Sequence, residues 1–194
     1  MQTMIREALE DGIRLRQQCL DTLAEPLLAA AACMTDSLSD GGKILACGNG
    51  GSAADAQHFA GELVNRFEMN RPGLAGIALT HDASVITSIA NDFSFDDVYA
   101  RQVEALGRPG DVLLAISTSG GSRNIINAAK AAKACGMRVV ALTGRDGGEL
   151  GKLDGIDVHL NIAHASTPRV QEMHITCLHL LCSLIDRTMF GGRA

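Results

Sequence analysis

The sequence predicts an α/β protein in which a parallel β-sheet is covered by helices on both faces. Five short apolar runs occur along the 194 residues, and a segment with helical spacing of apolar residues follows each run. Such alternation of strands and helices is typical of parallel sheets with right-handed crossover connections. Because a domain usually contains about 100–200 residues, we expect residues 1–194 to form a single domain.

Two helices are predicted to open the chain, as a helical pair over residues 1–40. The apolar positions of the first helix recur at helical spacing and are Ile5, Leu9, Ile13 and Leu20. A second helical pattern starts after Pro26 and stops at Asp40, which two glycines follow. The apolar faces of these terminal helices are wide enough to pack against neighbouring subunits.

The strands are predicted at the five apolar runs. These runs cover residues 43–47, 76–80, 111–116, 138–142 and 158–161. The first is bounded by glycines, as is typical of a buried parallel strand. The segment after it, residues 52–67, contains one glycine and begins with Ser52, a common helix start, so it predicts a helix. A long last helix is predicted from about residue 167 to residue 190.

The composition argues against several classes of protein. Apolar residues make up 46% of the chain and charged residues 20%, which argues against disorder and against a coiled coil. The formal net charge is −5 and no basic run occurs, so we expect no nucleic acid partner. With one Tyr, five Phe and no Trp, the aromatic side chains that stack on single-stranded bases are also scarce.

The apolar runs and the cysteines bear on the cellular location. The longest apolar run, residues 27–34, has eight residues, whereas a membrane-spanning helix needs about 20. The first residues carry mixed charges and lack the apolar stretch of a signal peptide. The six cysteines contain no CxxC pair, so we expect reduced, small core residues rather than a disulfide framework. These features predict a cytoplasmic protein without membrane contact.

Two loops that follow predicted strands have unusual compositions. Residues 47–52 contain three glycines, which let backbone N–H groups approach an anion at the start of a helix. Residues 117–122 contain four hydroxyl side chains and two glycines. Ligands of open parallel sheets bind beyond the carboxyl ends of the strands, and hydroxyls together with helix-terminal amides suit a phosphate monoester.

The first loop alone is also compatible with a dinucleotide site, or with an ordinary turn. A dinucleotide site needs an acidic residue about 20 positions further on, after the second strand. Asp82 lies some 30 residues past the loop, so no residue of this chain clearly matches the acidic position of a dinucleotide site. Two phosphate-type loops in one small sheet therefore favour a phosphorylated metabolite.

Two helices carry candidate catalytic or metal-ligating residues. His58 and Glu62 are four positions apart and share a helix face, which suits a metal site, an acid/base pair or a structural ion pair. On the last helix, Gln171 and His179 are eight positions apart, about 80° around the axis, and share a side. A histidine in an apolar helix is often structural, so His179 by itself is compatible with a functional role and with a structural role.

The order and spacing of seven motifs resemble those of bacterial phosphoheptose isomerases, which belong to the sugar isomerase (SIS) domain family. The motifs are 47–52 (CGNGGS), 57–63 (QHFAGEL), 65–67 (NRF), 90–92 (AND), 110–120 (GDVLLAISTSG), 141–148 (ALTGRDGG) and 171–174 (QEMH). The resemblance extends from the first helices to about residue 190. It implies a three-layer α/β/α domain with a five-stranded parallel sheet and long N- and C-terminal helices.

The resemblance implies an aldose–ketose isomerase that interconverts sedoheptulose 7-phosphate and D-glycero-D-manno-heptose 7-phosphate through an enediol. This reaction is the first step in making the ADP-heptose of the lipopolysaccharide core. Proton transfer to and from carbon and oxygen requires two groups, and the family pattern assigns these roles to Glu62 and His179. Which of the two moves the carbon-bound proton stays open.

The resemblance also implies binding residues and an assembly. The phosphate would be held by Ser117, Thr118, Ser119 and Ser122. The sugar would be bound by Asn49, Gly50, Gly51, Ser52, Glu62, Asn91, Asp92 and Gln171. One zinc ion per subunit would be bound by His58, Glu62, Gln171 and His179. Because eight helical positions rise about 12 Å, Gln171 and His179 share one ion only if it lies between them and both side chains lean inward. Otherwise the two ligands come from different subunits or the ion is absent. A homotetramer with active sites at subunit interfaces is implied.

Two other functions stay open as alternatives. The family has a close relative of similar fold that binds the bacterial initiator of chromosome replication, and it lacks the carboxylate at the position of Glu62 and the serines of the second loop. A sugar-phosphate sensor would keep the serine loop but would need neither Glu62 nor His179. Because Glu62 and the motif 117–120 are present here, the isomerase is the favoured prediction.

Overall fold

The computed structural model describes residues 1–191 as a three-layer α/β/α domain, which confirms the predicted fold class. The helices are α1 (Gln2–Leu20), α2 (Ala24–Ser39), α3 (Gly51–Val64), α4 (Ala83–Asp92), α5 (Ala100–Leu106), α6 (Arg123–Ala134), α7 (Gly148–Gly151) and α8 (Thr167–Phe190), with a 3₁₀ turn at Phe95–Asp97. The strands are β1 (Ile44–Gly48), β2 (Gly76–Ala78), β3 (Val112–Ser117), β4 (Arg138–Gly144) and β5 (Val158–Ile162).

The five strands form one parallel sheet in the order β2-β1-β3-β4-β5. The strand order reverses direction between β1 and β3, which pair from Ile44↔Val112 to Gly48↔Ile116. Ligands of open α/β sheets bind at such a switch point, beyond the carboxyl ends of the strands. The topology therefore places the two unusual loops, 47–52 and 117–122, side by side at the binding edge of the sheet.

The core has two parts, one on each face of the sheet. Successive side chains of a strand point to opposite faces, so Leu114 and Ile116 of β3 pack under α2, α3 and α8, whereas Leu113 and Ala115 pack under α5 and α6. All six β3 residues are buried, as expected for the centre of a parallel sheet. This double burial explains the continuous apolar runs in the sequence.

The N-terminal helices form as predicted, but one apolar face of α1 does not join the core. Leu15 and Cys19 are buried, whereas Ile5, Leu9, Ile13 and Leu20 are each more than half exposed. The positions that predict the helix are thus on a free surface of this chain. Within residues 1–191, none of the helices combines the length and apolar character that a membrane crossing requires. All six cysteines are free.

The structure refines two details of the predicted elements. The helix predicted over residues 52–67 ends at Val64, because the chain turns back and Leu74 donates a backbone hydrogen bond to the carbonyl of Leu63 (2.9 Å). Asp82 is the N-cap of α4 and its Oδ1 accepts a hydrogen bond from the N–H of Val85 (3.0 Å). Asp82 therefore has a capping role, which leaves the dinucleotide interpretation without its acidic residue.

Buried His174 should make the stability of the protein depend on pH. Its Nε2 lies 2.9 Å from the carbonyl of Thr143, and burial lowers the pKa of the ring to about 4, below the usual 6.5 of an unfolded chain. Between these values the unfolded chain binds the extra proton, so stability falls as the pH falls from about 6.5 to 4. We expect the stability advantage of wild type over His174→Gln to shrink by about 2–3 kcal/mol over that range. Urea unfolding at several pH values measures this, and a pH-independent difference would contradict it.

Candidate active site

The loop after β1 adopts a backbone path that only glycine allows at several points. Gly50 has a φ of +55°, and a Cβ on Gly48 would lie 2.4 Å from the carbonyl oxygen of Ser52. A Cβ on Gly51 would lie 2.3 Å from Nε2 of Gln171, so the Gln171 side chain packs directly on the loop. The structure thus brings the first loop and the start of α8 together.

One buried contact and one partly buried pair hold this loop in place. The Tyr99 hydroxyl donates a hydrogen bond to the carbonyl of Gly48 (2.6 Å), and burial raises the pKa of that phenol. The amides of Asn49 and Asn124 donate to each other's carbonyl oxygens, at 2.8 and 2.9 Å. Because Asn124 lies in the first turn of α6, this pair joins the first loop to the second. Asn49 therefore holds the first loop to the start of α6.

The loop after β3 presents hydroxyl groups at the start of α6. The Ser117 and Ser122 hydroxyls are 3.1 Å apart, and Ser119 Oγ accepts a hydrogen bond from the N–H of Gly121 (3.2 Å). Ser122 is the N-cap residue of α6, but its side chain makes no capping hydrogen bond. The hydroxyl and the first amides of the helix can therefore bind an anion. Thr118 and Ser119 are half-buried in the same loop.

A second glycine-containing turn, at Gly147, packs against the serine loop. Gly120 has a φ of +63°, and a Cβ there would lie 1.9 Å from the carbonyl oxygen of Gly147. The carbonyl of Gly120 accepts a hydrogen bond from the N–H of Leu150 (2.7 Å). The motif 141–148 thus forms the packing surface that fixes the serine loop.

His58, Glu62 and His179 form a compact cluster between α3 and α8. His58 Nε2 lies 3.1 Å from Glu62 Oε1 and 3.2 Å from His179 Nε2. The ring of His179 also stacks on Phe67, with 5.5 Å between centroids and 26° between the planes. His58 is partly exposed, so the cluster is open to solvent in this chain. The structure thus unites residues that are 121 positions apart in the sequence.

This cluster has the composition and geometry of a metal site. One ligand atom from each of the three residues lies within 4.8 Å of the others. The two imidazole Nε2 atoms are 3.2 Å apart, so one ring can donate a hydrogen bond to the other, or both can turn a lone pair to a shared cation. Two nitrogens and a carboxylate oxygen suit zinc. These three residues therefore fit such an ion. The Gln171 side chain lies outside this cluster and packs against Gly51.

Asn91 and Asp92 are not joined to the rest of the site in this chain. Both are exposed at the end of α4, and the Asn91 amide donates a hydrogen bond to Asp92 Oδ1 (2.8 Å). Their place in a sugar-binding site stays a prediction.

Three residues near the site were not predicted from the sequence. Asn124 and Tyr99 act through tertiary hydrogen bonds, which leave no local pattern. Asp55 lies one turn before His58 on α3. Its Oδ2 is buried and has no hydrogen-bond partner among the residues that the structure describes, and burial raises the pKa of this carboxyl to about 6. Residues three positions apart are neighbours on a helix surface, so the spacing of Asp55 and His58 is the sequence pattern that predicts their proximity.

Known proteins resemble this chain along most of its length. Residues 9–144 match the SIS domain family. The phosphoheptose isomerase of Aromatoleum aromaticum is 58% identical over 188 residues, which are 96% of this chain and 95% of that protein. The solved phosphoheptose isomerase from Neisseria gonorrhoeae is 49% identical, with a TM-score of 0.90 over 95% of this chain and 98% of that one. The one from Francisella tularensis is 40% identical, with a TM-score of 0.92 over 95% and 97%.

These matches decide between the functions that the sequence left open. The similar chains are phosphoheptose isomerases at identities of 40–58%. The chain belongs to the phosphoheptose isomerases of the SIS domain family.

Proposed function

We propose that this enzyme interconverts sedoheptulose 7-phosphate and D-glycero-D-manno-heptose 7-phosphate. The observation that carries the proposal is the Glu62–His179 cluster, which lies on the two helices, α3 and α8, whose N-terminal ends meet at the loop after β1. A carboxylate and an imidazole are the groups that an aldose–ketose isomerisation uses.

The serine loop would bind the phosphate end of the sugar. Ser117, Thr118, Ser119 and Ser122 offer hydroxyl donors, and the first amides of α6 offer backbone donors with a favourable helix dipole. Asn49, Gly50, Gly51 and Ser52 of the first loop would contact the sugar hydroxyls. Fixing both parts of the substrate would place its carbonyl end near the cluster, so that proton transfer becomes effectively intramolecular.

Glu62 and His179 would move the protons. One group removes the proton from the carbon next to the carbonyl, giving the enediol, and returns it to the neighbouring carbon. The other moves a proton from the hydroxyl oxygen to the carbonyl oxygen, so that no atom is gained or lost. Glu62 and His179 both approach His58 within about 3 Å, so they lie on one side of the site, as this exchange requires.

We further propose one zinc ion per subunit, bound by His58, Glu62, Gln171 and His179. When bound, zinc would act as a Lewis acid toward the substrate carbonyl. The close His58–Glu62–His179 cluster supports three of the ligands. Gln171 and His179 belong to one continuous helix, and eight positions correspond to a rise of about 12 Å. The Gln171 amide must therefore extend along α8 to share the ion.

Turnover of sedoheptulose 7-phosphate by the purified protein tests both proposals. We expect turnover that falls after chelation and returns with added zinc, because the ion would stabilise charge on the enediolate oxygen. Turnover that is unchanged by chelation would contradict the zinc proposal and leave Glu62 and His179 as a metal-free acid and base. No turnover in either condition would contradict the isomerase itself.

We propose a homotetramer with active sites at subunit interfaces. The exposed apolar face of α1 supports it, because Leu9 and Ile13 are each more than half exposed within the part of the chain that the structure describes. Beside this face, Cys19, Leu23, Leu27, Met173 and Leu180 line an apolar groove of about 320 Å³ between α1, α2 and α8. α8 also carries His179, so contacts along this surface would reach the site. Free cysteines agree with the cytoplasmic location that we also propose.

The double variant Leu9→Glu/Ile13→Glu tests this assembly. The double substitution adds two carboxylates to each subunit, and therefore four or more to one apolar interface. The tetramer should dissociate, as measured by sedimentation velocity, and turnover should fall when the tetramer is lost. The matched control is Leu106→Glu, which adds a charge at an exposed leucine on α5, on the opposite face of the sheet. A tetramer that survives the double substitution would contradict the proposed interface.

A further inference from the structure

Arg71 is a buried cation that binds the end of the helix carrying Glu62. Its Nη2 donates a hydrogen bond to the carbonyl of Glu62 (2.9 Å), and its Nη1 donates to the carbonyl of Leu63 (2.7 Å). The last four carbonyls of a helix have no partner within the helix. Arg71 therefore acts as the C-terminal cap of α3, and it holds the backbone of the candidate catalytic residue itself.

The same guanidinium is bound to α8. Arg71 Nε donates to Oδ1 of Asp186 at 2.7 Å, and both side chains are 1% exposed. Asp186 follows His179 by seven positions, which is about two turns, so both residues share one face of α8. The ion pair therefore joins the backbone of Glu62 to the helix face that presents His179.

The stability of the fold alone does not account for this pair. Removing two charges from water costs several kcal/mol for each ion, and apolar residues of similar volume often stabilise a core equally well. Asp186 Oδ2 is also buried, with no hydrogen-bond partner among residues 1–191. What the pair adds is a fixed position, because the planar guanidinium binds a carboxylate and three backbone carbonyls, those of Glu62, Leu63 and Pro72, in one geometry.

We propose that Arg71 and Asp186 are positioning residues that set the distance between Glu62 on α3 and His179 on α8. The inference rests on the proposed function, because it assigns these residues to the proton-transfer and metal cluster. Outer partners of this kind change metal affinity or activity by about 10–100-fold when they are lost. Small displacements of reacting groups have similar effects on turnover.

The double variant Arg71→Met/Asp186→Leu tests the proposal, because it leaves no unpaired charge. We expect a folded protein by circular dichroism and urea unfolding. Zinc affinity, measured by competition with a chromophoric chelator, should weaken by about 10–100-fold, and kcat should fall to a similar extent. KM should stay within about twofold, because the phosphate loop lies on β3 and α6, away from the pair.

Two further variants separate positioning from general stability. Arg71→Lys keeps the charge but has no planar fork, so its zinc affinity and kcat should fall between those of wild type and the double variant. Lys43→Met is the control, because Lys43 pairs with buried Asp111 just ahead of β1 and β3, and neither residue hydrogen-bonds to α3 or α8 within the described part of the chain. It should change the urea midpoint but neither zinc affinity nor kcat.

Two results would overturn the proposal. One is a double variant with the zinc affinity and kcat of wild type, and the other is an equal loss in Lys43→Met. If wild type does not turn over sedoheptulose 7-phosphate, the proposed function fails, and the zinc affinities of the variants still decide the role of the pair. If wild type binds no zinc, the comparison of kcat and KM decides it.

Discussion

Replacing Glu62 by glutamine should lower turnover of sedoheptulose 7-phosphate by about 10²–10⁴-fold, the usual contribution of a positioned acid or base. Glutamine keeps the size of the side chain but cannot accept a proton from carbon or oxygen. Substrate affinity, measured by calorimetry, should change little, because the serine loop that would bind the phosphate is on other elements. Loss of turnover with retained binding is the signature of an isomerase rather than of a sensor.

Glu172→Gln is the matched control for this variant. Glu172 is also a partly exposed carboxylate near the site, on α8, but its Oε2 pairs with Arg169 Nη1 (2.9 Å) and not with the histidine cluster. We expect its turnover to match that of wild type. Normal turnover by Glu62→Gln would instead remove Glu62 from the mechanism and leave His179 as the only proposed proton carrier.

Replacing Gly120 by alanine should both destabilise the fold and weaken substrate binding. At a φ of +63° an alanine is strained, and its Cβ would lie 1.9 Å from the carbonyl oxygen of Gly147. Left-handed backbone costs about 1–2 kcal/mol and overpacking about 1–3 kcal/mol, so we expect a loss of about 2–4 kcal/mol in urea unfolding. Because the serine loop must shift, KM should rise more than kcat falls.

The neighbouring glycine provides the control. A Cβ on Gly121 would lie 3.7 Å from Ser119 Oγ, an ordinary contact, and its backbone is not in the left-handed region. Gly121→Ala should therefore have nearly the stability and KM of wild type. Equal effects of the two substitutions would show that the loop has no special need for glycine at position 120.

The sequence predicts the elements of this fold well because local patterns determine them. Burial of both sheet faces makes β1 and β3 continuous apolar runs, and these are recognisable without a structure. The last helix runs over Thr167–Phe190, as its periodicity predicts. The helix after β1 ends three residues before the predicted position, because Arg71 caps it from outside the helix, and no local pattern contains that contact.

For the candidate site, the sequence determines which residue types are present and in which loops. Glycines and hydroxyls at the ends of β1 and β3 follow from the strand pattern, and the spacing of His58 and Glu62 places both on one helix face. The resemblance to phosphoheptose isomerases adds the assignment of roles. The exposure of α1 could not be predicted, since a periodic apolar pattern does not say whether its own core or another chain covers it.

Only the tertiary structure decided which of these groups meet. His179 reaches His58 across 121 positions, and the Asn49–Asn124 and Arg71–Asp186 pairs join elements 75 and 115 positions apart. Such contacts depend on how helices pack on the sheet, and their energies come from geometry that no local window of sequence encodes. Local periodicity therefore determined the strands, helices and loops, whereas long-range packing determined the candidate catalytic cluster and the ion pair behind it.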